Sequence, residues 1–320
     1  MDSDTSRHGG FVFYHYQPSL AGSAFFASVF FLSTILHAWQ IIRTKTWFFI
    51  PMFVGTLMEG IGYVGRCLSS SEPLELGPFI LQSTLLLISP ALFAASIYII
   101  LGRLIVHLGA QKHSLVRVDW LTRTFVTVDV FSFLMQGSGA GIMAQGAESM
   151  NTGQKIILAG LIVQIIGFGV FMVVTVVFHL RINKTVASTF TRVSQYEPDS
   201  DRERPGPGVL SLGPRGVSWR TMLWALYAAS AMIMVRSVFR VVEYAQGNDG
   251  YLLRSEVWLF VFDGVLMFIT VALFHPYHPS KVLGSTNTGT GNVREEDGFP
   301  LDSVAARSNS PEGNYSRYYR

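Results

Sequence analysis

The sequence is poor in charged residues and contains a single cysteine, Cys67. A lone cysteine excludes an internal disulfide and any zinc cluster built on cysteines. Charged residues make up 14% of the chain, whereas a soluble domain usually carries about 25%. The basic residues lie in short loops and tails and form no patch for nucleic acid. These features indicate an integral membrane protein with no nucleic-acid partner.

Several motifs that define classes of membrane protein are also missing. The sequence has no G-x-x-x-x-G-K-[ST] loop, which argues against a nucleotide-driven pump. The last apolar segment has no lysine, which excludes a retinal Schiff base there. It also lacks Asn-Pro-x-x-Tyr, and Arg103 has no adjacent acid, which weakens the case for a G-protein-coupled receptor. The polar segment 1–17 lacks the layout of a cleaved signal peptide, so we expect the first helix to direct insertion.

Seven apolar segments reach the length of about 20 residues that spans about 30 Å of hydrocarbon. The sequence therefore predicts an all-α, polytopic bundle in a membrane domain of residues 19–276. The predicted helices cover residues 19–42, 46–68, 77–106, 120–144, 154–180, 219–243 and 253–274. Pro90 is predicted to kink the third helix and to leave a carbonyl that is satisfied inside the bundle. Gly137-x-x-x-Gly141 in the fourth helix fits a helix-packing face.

The distribution of lysine and arginine predicts the orientation of the bundle. Basic residues are concentrated in the loop after the fifth helix and are absent from the loop between the second and third. This bias predicts an outside N-terminus and a cytosolic C-terminus. Residues 1–18 are then an extracellular segment, 181–218 a flexible cytosolic loop and 277–320 a disordered cytosolic tail. The tail is a candidate docking segment for a cytosolic partner.

Charged residues inside the predicted helices recur on single helix faces. Arg236, Arg240 and Glu243 follow i, i+4, i+7 spacing and share one face. A spacing of seven relates three further pairs, Glu59 with Arg66, Asp129 with Gln136, and Glu256 with Asp263. Eight charges facing lipid would cost roughly 20–28 kcal/mol, which exceeds the ~5–15 kcal/mol stability of a typical fold. We therefore expect these side chains to face a polar interior.

The charges inside the helices include five acids but only three arginines. Two carboxylates are thus left either protonated through desolvation or free to meet a cation. A polar cavity in the outer half of the bundle suits an amphipathic amine. The candidate substrate or proton sites are Glu59, Asp129, Gln136, Glu256 and Asp263, and the expected charge network is Arg66, Arg236, Arg240 and Glu243. The alternative is that these residues are buried ion pairs that only fix helix register.

Four histidines, His37, His107, His179 and His275, lie at the predicted cytosolic ends of odd-numbered helices. Convergence of several on one metal would suit a membrane zinc hydrolase. No His-x-x-x-His pair or nearby carboxylate supports that hypothesis. The sequence therefore predicts no metal, no cofactor and no enzymatic activity.

The polar residues also form an ordered set across the helices. It comprises Glu59-x-Ile61-Gly62-Tyr63-x-x-Arg66, Gln82 with Pro90 and Tyr98, Asp129-x-x-x-x-x-x-Gln136-x-x-Gly139, Arg236-Ser237-x-x-Arg240-x-x-Glu243, Glu256, Asp263 and His275-Pro276. From Tyr16 to Pro279 this set resembles the fungal lipid-translocating exporter family, the RTA-like proteins.

The resemblance implies a seven-helix protein of the fungal plasma membrane that exports or flips sphingoid long-chain bases or toxic amphiphiles and so gives lipid homeostasis or resistance. Another branch of the family is linked to porphyrin traffic. The expected partners are membrane lipids or amphiphilic small molecules. The alternative is a sensor of lipid asymmetry that signals through the cytosolic loop and tail.

Overall fold

The computed structural model describes residues 7–8, 11–12, 19–71, 76–111, 114, 117–143, 149–196, 219–246 and 251–283. The first six long helices are α1 (Leu20–Thr44), α2 (Ile50–Ser71), α3 (Leu76–His107), α4 (Val118–Met143), α5 (Met150–Tyr196) and α6 (Trp219–Ala245). A seventh helical run consists of α7 (Glu256–Leu259), a π-helical segment (Phe260–Val265) and α8 (Leu266–Leu273). Short elements are the 3-10 turns Trp47–Phe49 and Tyr251–Arg254, the helix α9 (Ser280–Leu283) and two paired strands, Arg7–His8 and Phe11–Val12.

Seven of these helical stretches are long and apolar enough to cross a membrane, which confirms the predicted class of seven membrane helices. We refer to the last one, Glu256–Leu273, as span 7. Consecutive helices pack side by side from α1 to α6, α6 packs on α8, and α8 closes the ring against α1. Helix α3 also contacts α6 across the ring. Because α3 lies inside, its middle turns, which include Phe93, Ile97 and Leu101, are fully buried.

Glycines let α2 approach α3 closely. A Cβ atom on Gly55 would lie 3.1 Å from the carbonyl oxygen of Ser89, and one on Gly65 would lie 3.2 Å from the backbone nitrogen of Gln82. Glu59 lies four residues after Gly55, on the same side of α2. The small residues therefore hold the face that carries Glu59 against the middle of α3.

A second set of glycines joins α4 to α5, but not the pair that the sequence predicted. A Cβ atom on Gly137 or Gly141 would meet open space among the described residues. Gly139 instead faces Gly153, whose carbonyl oxygen would lie 2.7 Å from a Cβ atom on Gly139. The prediction of a Gly137-x-x-x-Gly141 face was wrong because spacing identifies residues on one face but not the direction in which that face points.

Two predicted boundaries also differ from the structure. Helix α5 continues to Tyr196, so the segment 181–218 begins as helix, because residues 181–196 contain no glycine or proline. The remainder of that loop, residues 197–218, lies outside the described residues. The segment after span 7 is ordered through Leu283, and His278, Ser280 and Val282 are buried against the bundle. The predicted tail from 284 to 320 and nearly all of segment 1–18 lie outside the described residues.

The α4–α5 contact predicts a contrast between two glycines in one helix. Gly139→Ala is expected to lower the free energy of unfolding by about 1–3 kcal/mol, the usual cost of overpacking. Gly137→Ala is the matched control and is expected to raise it by up to about 1 kcal/mol through helix propensity. Thermal unfolding of the two variants in detergent measures the difference, and equal shifts would contradict the packing described here.

Candidate functional site

Seven charged side chains from α2, α6 and span 7 gather between the middle of the bundle and the end where α1 begins. We call them the charge network; its members are Glu59, Arg66, Arg236, Arg240, Glu243, Glu256 and Asp263. That end of the bundle is the outer one under the predicted orientation. All seven belong to the set that the sequence singled out, and the folded chain brings them together.

Arg66 and Glu256 form the part of the network nearest the end of the bundle. The Arg66 Nη2 atom lies 2.6 Å from Glu256 Oε1, and its Nε donates to the same oxygen at 3.1 Å. The carboxylate also accepts the backbone N–H of Ser19, at 3.0 and 2.9 Å from its two oxygens. Glu256 sits in the first turn of span 7, where a negative charge favours the helix dipole. This carboxylate therefore joins the end of α2 to the starts of α1 and span 7.

Arg236 connects α6 to both span 7 and α3. Its Nε donates to Asp263 Oδ1, and its Nη2 donates to the carbonyl oxygen of Leu86 at 2.5 Å. Leu86 lies four residues before Pro90, which has no N–H to donate back to that carbonyl. The predicted kink residue thus leaves a buried acceptor, and the guanidinium of Arg236 satisfies it.

Asp263 is shared by two arginines. Its second oxygen accepts from Arg240 Nη2 at 3.0 Å, while Arg240 Nη1 donates to Glu243 Oε2 at 3.0 Å. Asp263 lies in the π-helical segment of span 7. Such single π turns re-aim side chains and occur frequently at functional sites. Here the turn carries the carboxylate that both arginines bind.

Glu59 differs from the other acids because it has no arginine bound to it. Its side chain is fully buried, and neither carboxylate oxygen makes a hydrogen bond of normal geometry to any described residue. The nearby Ser89 hydroxyl donates instead to the carbonyl of Leu85 at 2.6 Å. Asp263, Arg236 and Arg240 lie close enough to act on Glu59 electrostatically. Glu59 is therefore the uncompensated acid of the network.

Tyr63 is a member of this site that sequence reasoning missed as a functional residue. Its ring is fully buried and stacks on Phe26 and Phe30 of α1, at centroid distances of 5.2 and 5.7 Å. Its hydroxyl has no hydrogen-bond partner in the described part of the chain, and it faces Gly264 of the π-helical segment. The available signal was spacing, because Tyr63 lies one turn after Glu59 and one turn before Arg66.

Asp129 and Gln136 do not join the charge network. The Asp129 carboxylate accepts a hydrogen bond from Tyr98 at 2.9 Å, and Gln136 donates to Gln164 Oε1 at 3.1 Å. These pairs link α4 to α3 and α5 on another side of the bundle. Asp129 and Gln136 were expected to face the same polar interior as the other charges, and this was wrong because a helix face can point toward either of two neighbouring helices.

Only part of the predicted histidine set converges. The rings of His37 and His275 stack with centroids 4.1 Å apart, and His275 Nε2 lies 2.8 Å from the Ser33 hydroxyl. His179 instead contacts Tyr227 on α6, and His107 ends α3. Within the described ranges, no group of three or more histidine, cysteine or acidic side chains is placed to hold a metal ion.

The network is closed rather than open to a cavity. The side chains of Arg66, Arg236 and Asp263 expose at most 6% of their area, although an open polar cavity was expected.

A groove of about 410 Å³ instead lies on the lipid-facing side, between α6 and span 7. We call it the lateral groove; its lining residues are Met234, Val235, Val238, Phe239, Val242, Leu252, Trp258 and Phe262. Phe239 and Phe262 stack at 4.7 Å in this wall, one residue away from Arg240 and Asp263 respectively.

The shared role of Asp263 predicts a large cost for its neutralisation. Asp263→Asn is expected to lower the free energy of unfolding by about 3–5 kcal/mol, because it leaves two buried arginines short of counter-charge. Glu59→Gln makes the same acid-to-amide change but breaks no ion pair, so it is expected to cost much less. Thermal unfolding in detergent compares the two variants. A larger loss for Glu59→Gln would contradict this assignment of partners.

Comparison with known proteins gives a consistent result. Residues 52–286 match the family model described as "RTA1 like protein". Protoporphyrin uptake protein 1 of Saccharomyces cerevisiae is 35% identical over 305 residues, which cover 84% of this chain and 93% of the relative. The sphingoid long-chain base transporter RSB1 of the same yeast is 26% identical over 290 residues, covering 86% and 74%. No solved structure matches the chain. With seven membrane helices and a family match over most of its length, the chain belongs to the RTA1-like family of integral membrane proteins.

Proposed function

We propose that this protein is a membrane transporter that exports or flips amphipathic lipids with a cationic head group. Transport in general is supported by relatives named for protoporphyrin uptake and for sphingoid long-chain base transport. We place the protein in the plasma membrane, where export of a sphingoid base or a toxic amphiphile would give lipid homeostasis or resistance.

The uncompensated carboxylate of Glu59 is the observation that carries the proposal. The other three acids of the network are each bound to an arginine, so each of them already has a counter-charge. Glu59 lies in the same network, and no described residue binds its carboxylate in this way. A buried carboxylate in hydrocarbon gains most from a cation, and an ammonium group supplies three hydrogen-bond donors as well. The site therefore favours an amine over a neutral or anionic head group.

The lateral groove supplies a place for the apolar part of such a molecule. Its walls are valine and aromatic side chains, and Val238 exposes 47% of its area on the lipid-facing side. The stacked rings of Phe239 and Phe262 line this groove, and each is adjacent in sequence to a member of the charge network. In this arrangement the hydrocarbon chain stays beside the acyl layer while the head group passes this aromatic pair. Entry requires movement, because the network is closed.

A transport assay tests the proposal directly. Purified protein in liposomes is expected to move a fluorescent sphingoid long-chain base faster than protein-free liposomes do. Its N-acetylated analogue, which has the same chain but no cationic amine, is expected not to be moved. Protoporphyrin serves as an anionic probe because one relative is named for its uptake. Movement of protoporphyrin and not of the base would contradict the proposal.

The same assay distinguishes a transporter from the alternative, a lipid sensor. A sensor binds the base without moving it and passes the signal to a cytosolic partner through the loop and the tail. Saturable binding of the base with flux no greater than that of protein-free liposomes would favour the sensor.

The lateral groove predicts a specific effect of filling it. Val238→Trp is expected to raise the half-saturating concentration of the base about tenfold. The larger side chain would displace about two methylene groups of the base from the groove, and each lost methylene costs about 0.8 kcal/mol of binding free energy. Val173→Trp on α5 is the matched control, since Val173 is 60% exposed to lipid and lies outside the groove. Flux measured over a range of base concentrations compares the variants. Equal half-saturating concentrations for the two variants would show that the base does not bind in the lateral groove.

A further inference from the structure

Glu59 is surrounded by groups from every helix that packs around it. Its own helix contributes Tyr63, and α3 contributes Ser89. Helix α6 contributes two arginines and span 7 contributes Asp263, while α1 stacks aromatic rings on Tyr63. The arginines already bind Asp263, and Arg240 also binds Glu243. Both arginines that the described residues place beside Glu59 are therefore already bound to other carboxylates when Glu59 ionises.

The charge balance of the network gives the same result. Within the described residues it contains three arginines and four acids, so full ionisation leaves one net negative charge in the hydrocarbon region. An isolated buried carboxylate is unstable by several kcal/mol and normally becomes neutral instead. One proton on Glu59 makes the network neutral, whereas a proton on any other acid breaks an ion pair. Glu59 is therefore the member that takes up the proton at least cost.

We infer that Glu59 is a proton-binding site and that its proton is exchanged for the cationic head group of the cargo. This inference rests on the proposed transport of an amphipathic amine. In the resting protein Glu59 is a neutral carboxylic acid. When an ammonium group enters, the O–H bond of Glu59 breaks, its proton passes to water on the side from which the amine came, and the carboxylate pairs with the ammonium. When the amine leaves on the other side, a proton from the water there re-forms the O–H bond. One positive charge replaces another, so the network stays neutral at each stage, and each amine that is moved drives one proton the opposite way.

Two measurements on the full-length protein test the exchange. Infrared spectroscopy of the protein without cargo is expected to show the carbonyl stretch of a buried protonated carboxyl, which Glu59→Gln removes. Asp129→Asn is the matched control, because Asp129 is another buried acid outside the network, and the Glu59 band must survive that change. Isotope-labelled glutamate, which shifts the band of Glu59 but not that of an aspartate, identifies it in the unmodified protein.

The second measurement follows protons during transport of the fluorescent sphingoid base. A pH-sensitive dye inside the liposomes is expected to report one proton for each amine moved, in the opposite direction, and Glu59→Gln is expected to abolish this signal. Amine flux without proton movement, or coupled flux that persists in Glu59→Gln, overturns the exchange and leaves the transport function standing. The Glu59 band without any amine flux overturns the transport function and still supports a proton site at Glu59.

Discussion

The guanidinium of Arg236 is the interaction on which the polar interior depends. It neutralises Asp263 of span 7 and satisfies the Leu86 carbonyl that Pro90 leaves without a donor in α3. In hydrocarbon neither group has water as a substitute partner, and each unsatisfied polar group costs several kcal/mol. One side chain on α6 therefore fixes the positions of α3 and span 7 at the same depth. The carboxylate of Glu59 is held beside this junction by the glycine contacts between α2 and α3.

The central ion pair of the network, Arg240 with Asp263, can open without leaving a bare charge. Asp263 binds two arginines, and Arg240 binds two carboxylates. When the Arg240–Asp263 pair opens, Asp263 keeps Arg236 and Arg240 keeps Glu243, so neither charge is left bare. Breaking an isolated buried pair would instead leave an uncompensated charge at a cost of about 3–5 kcal/mol. The shared pairs thus lower the cost of a local opening between Arg240 of α6 and Asp263 of span 7, next to Phe239 and Phe262, where entry is proposed.

The sequence predicted the seven spans because hydropathy and length are properties of each segment alone. It also predicted that the charged residues of α2, α6 and span 7 face inward, since spacing defines a helix face and lipid excludes charge. It did not predict that Asp129 turns to Tyr98, or that Gly139 rather than Gly137 meets α5. Those outcomes depend on the rotation of one helix against its neighbours, which periodicity leaves free. The sequence also did not predict which side chain donates to the Leu86 carbonyl, because every residue has a main-chain carbonyl and the residue type does not mark the one that needs a donor.

The π-helical turn was equally invisible in the sequence, and it links the two halves of the proposed mechanism. Phe262 and Asp263 are adjacent in this turn, yet Phe262 lines the lateral groove and Asp263 lies in the charge network. A displacement of this turn that admits a hydrocarbon chain beside Phe262 would also move the backbone that carries Asp263. A π turn accommodates such a shift more readily than regular helix, because it already contains an extra residue. In the proposed mechanism, an apolar chain in the groove would thereby act on the ion pairs beside Glu59 and couple binding of the chain to loading of the head group.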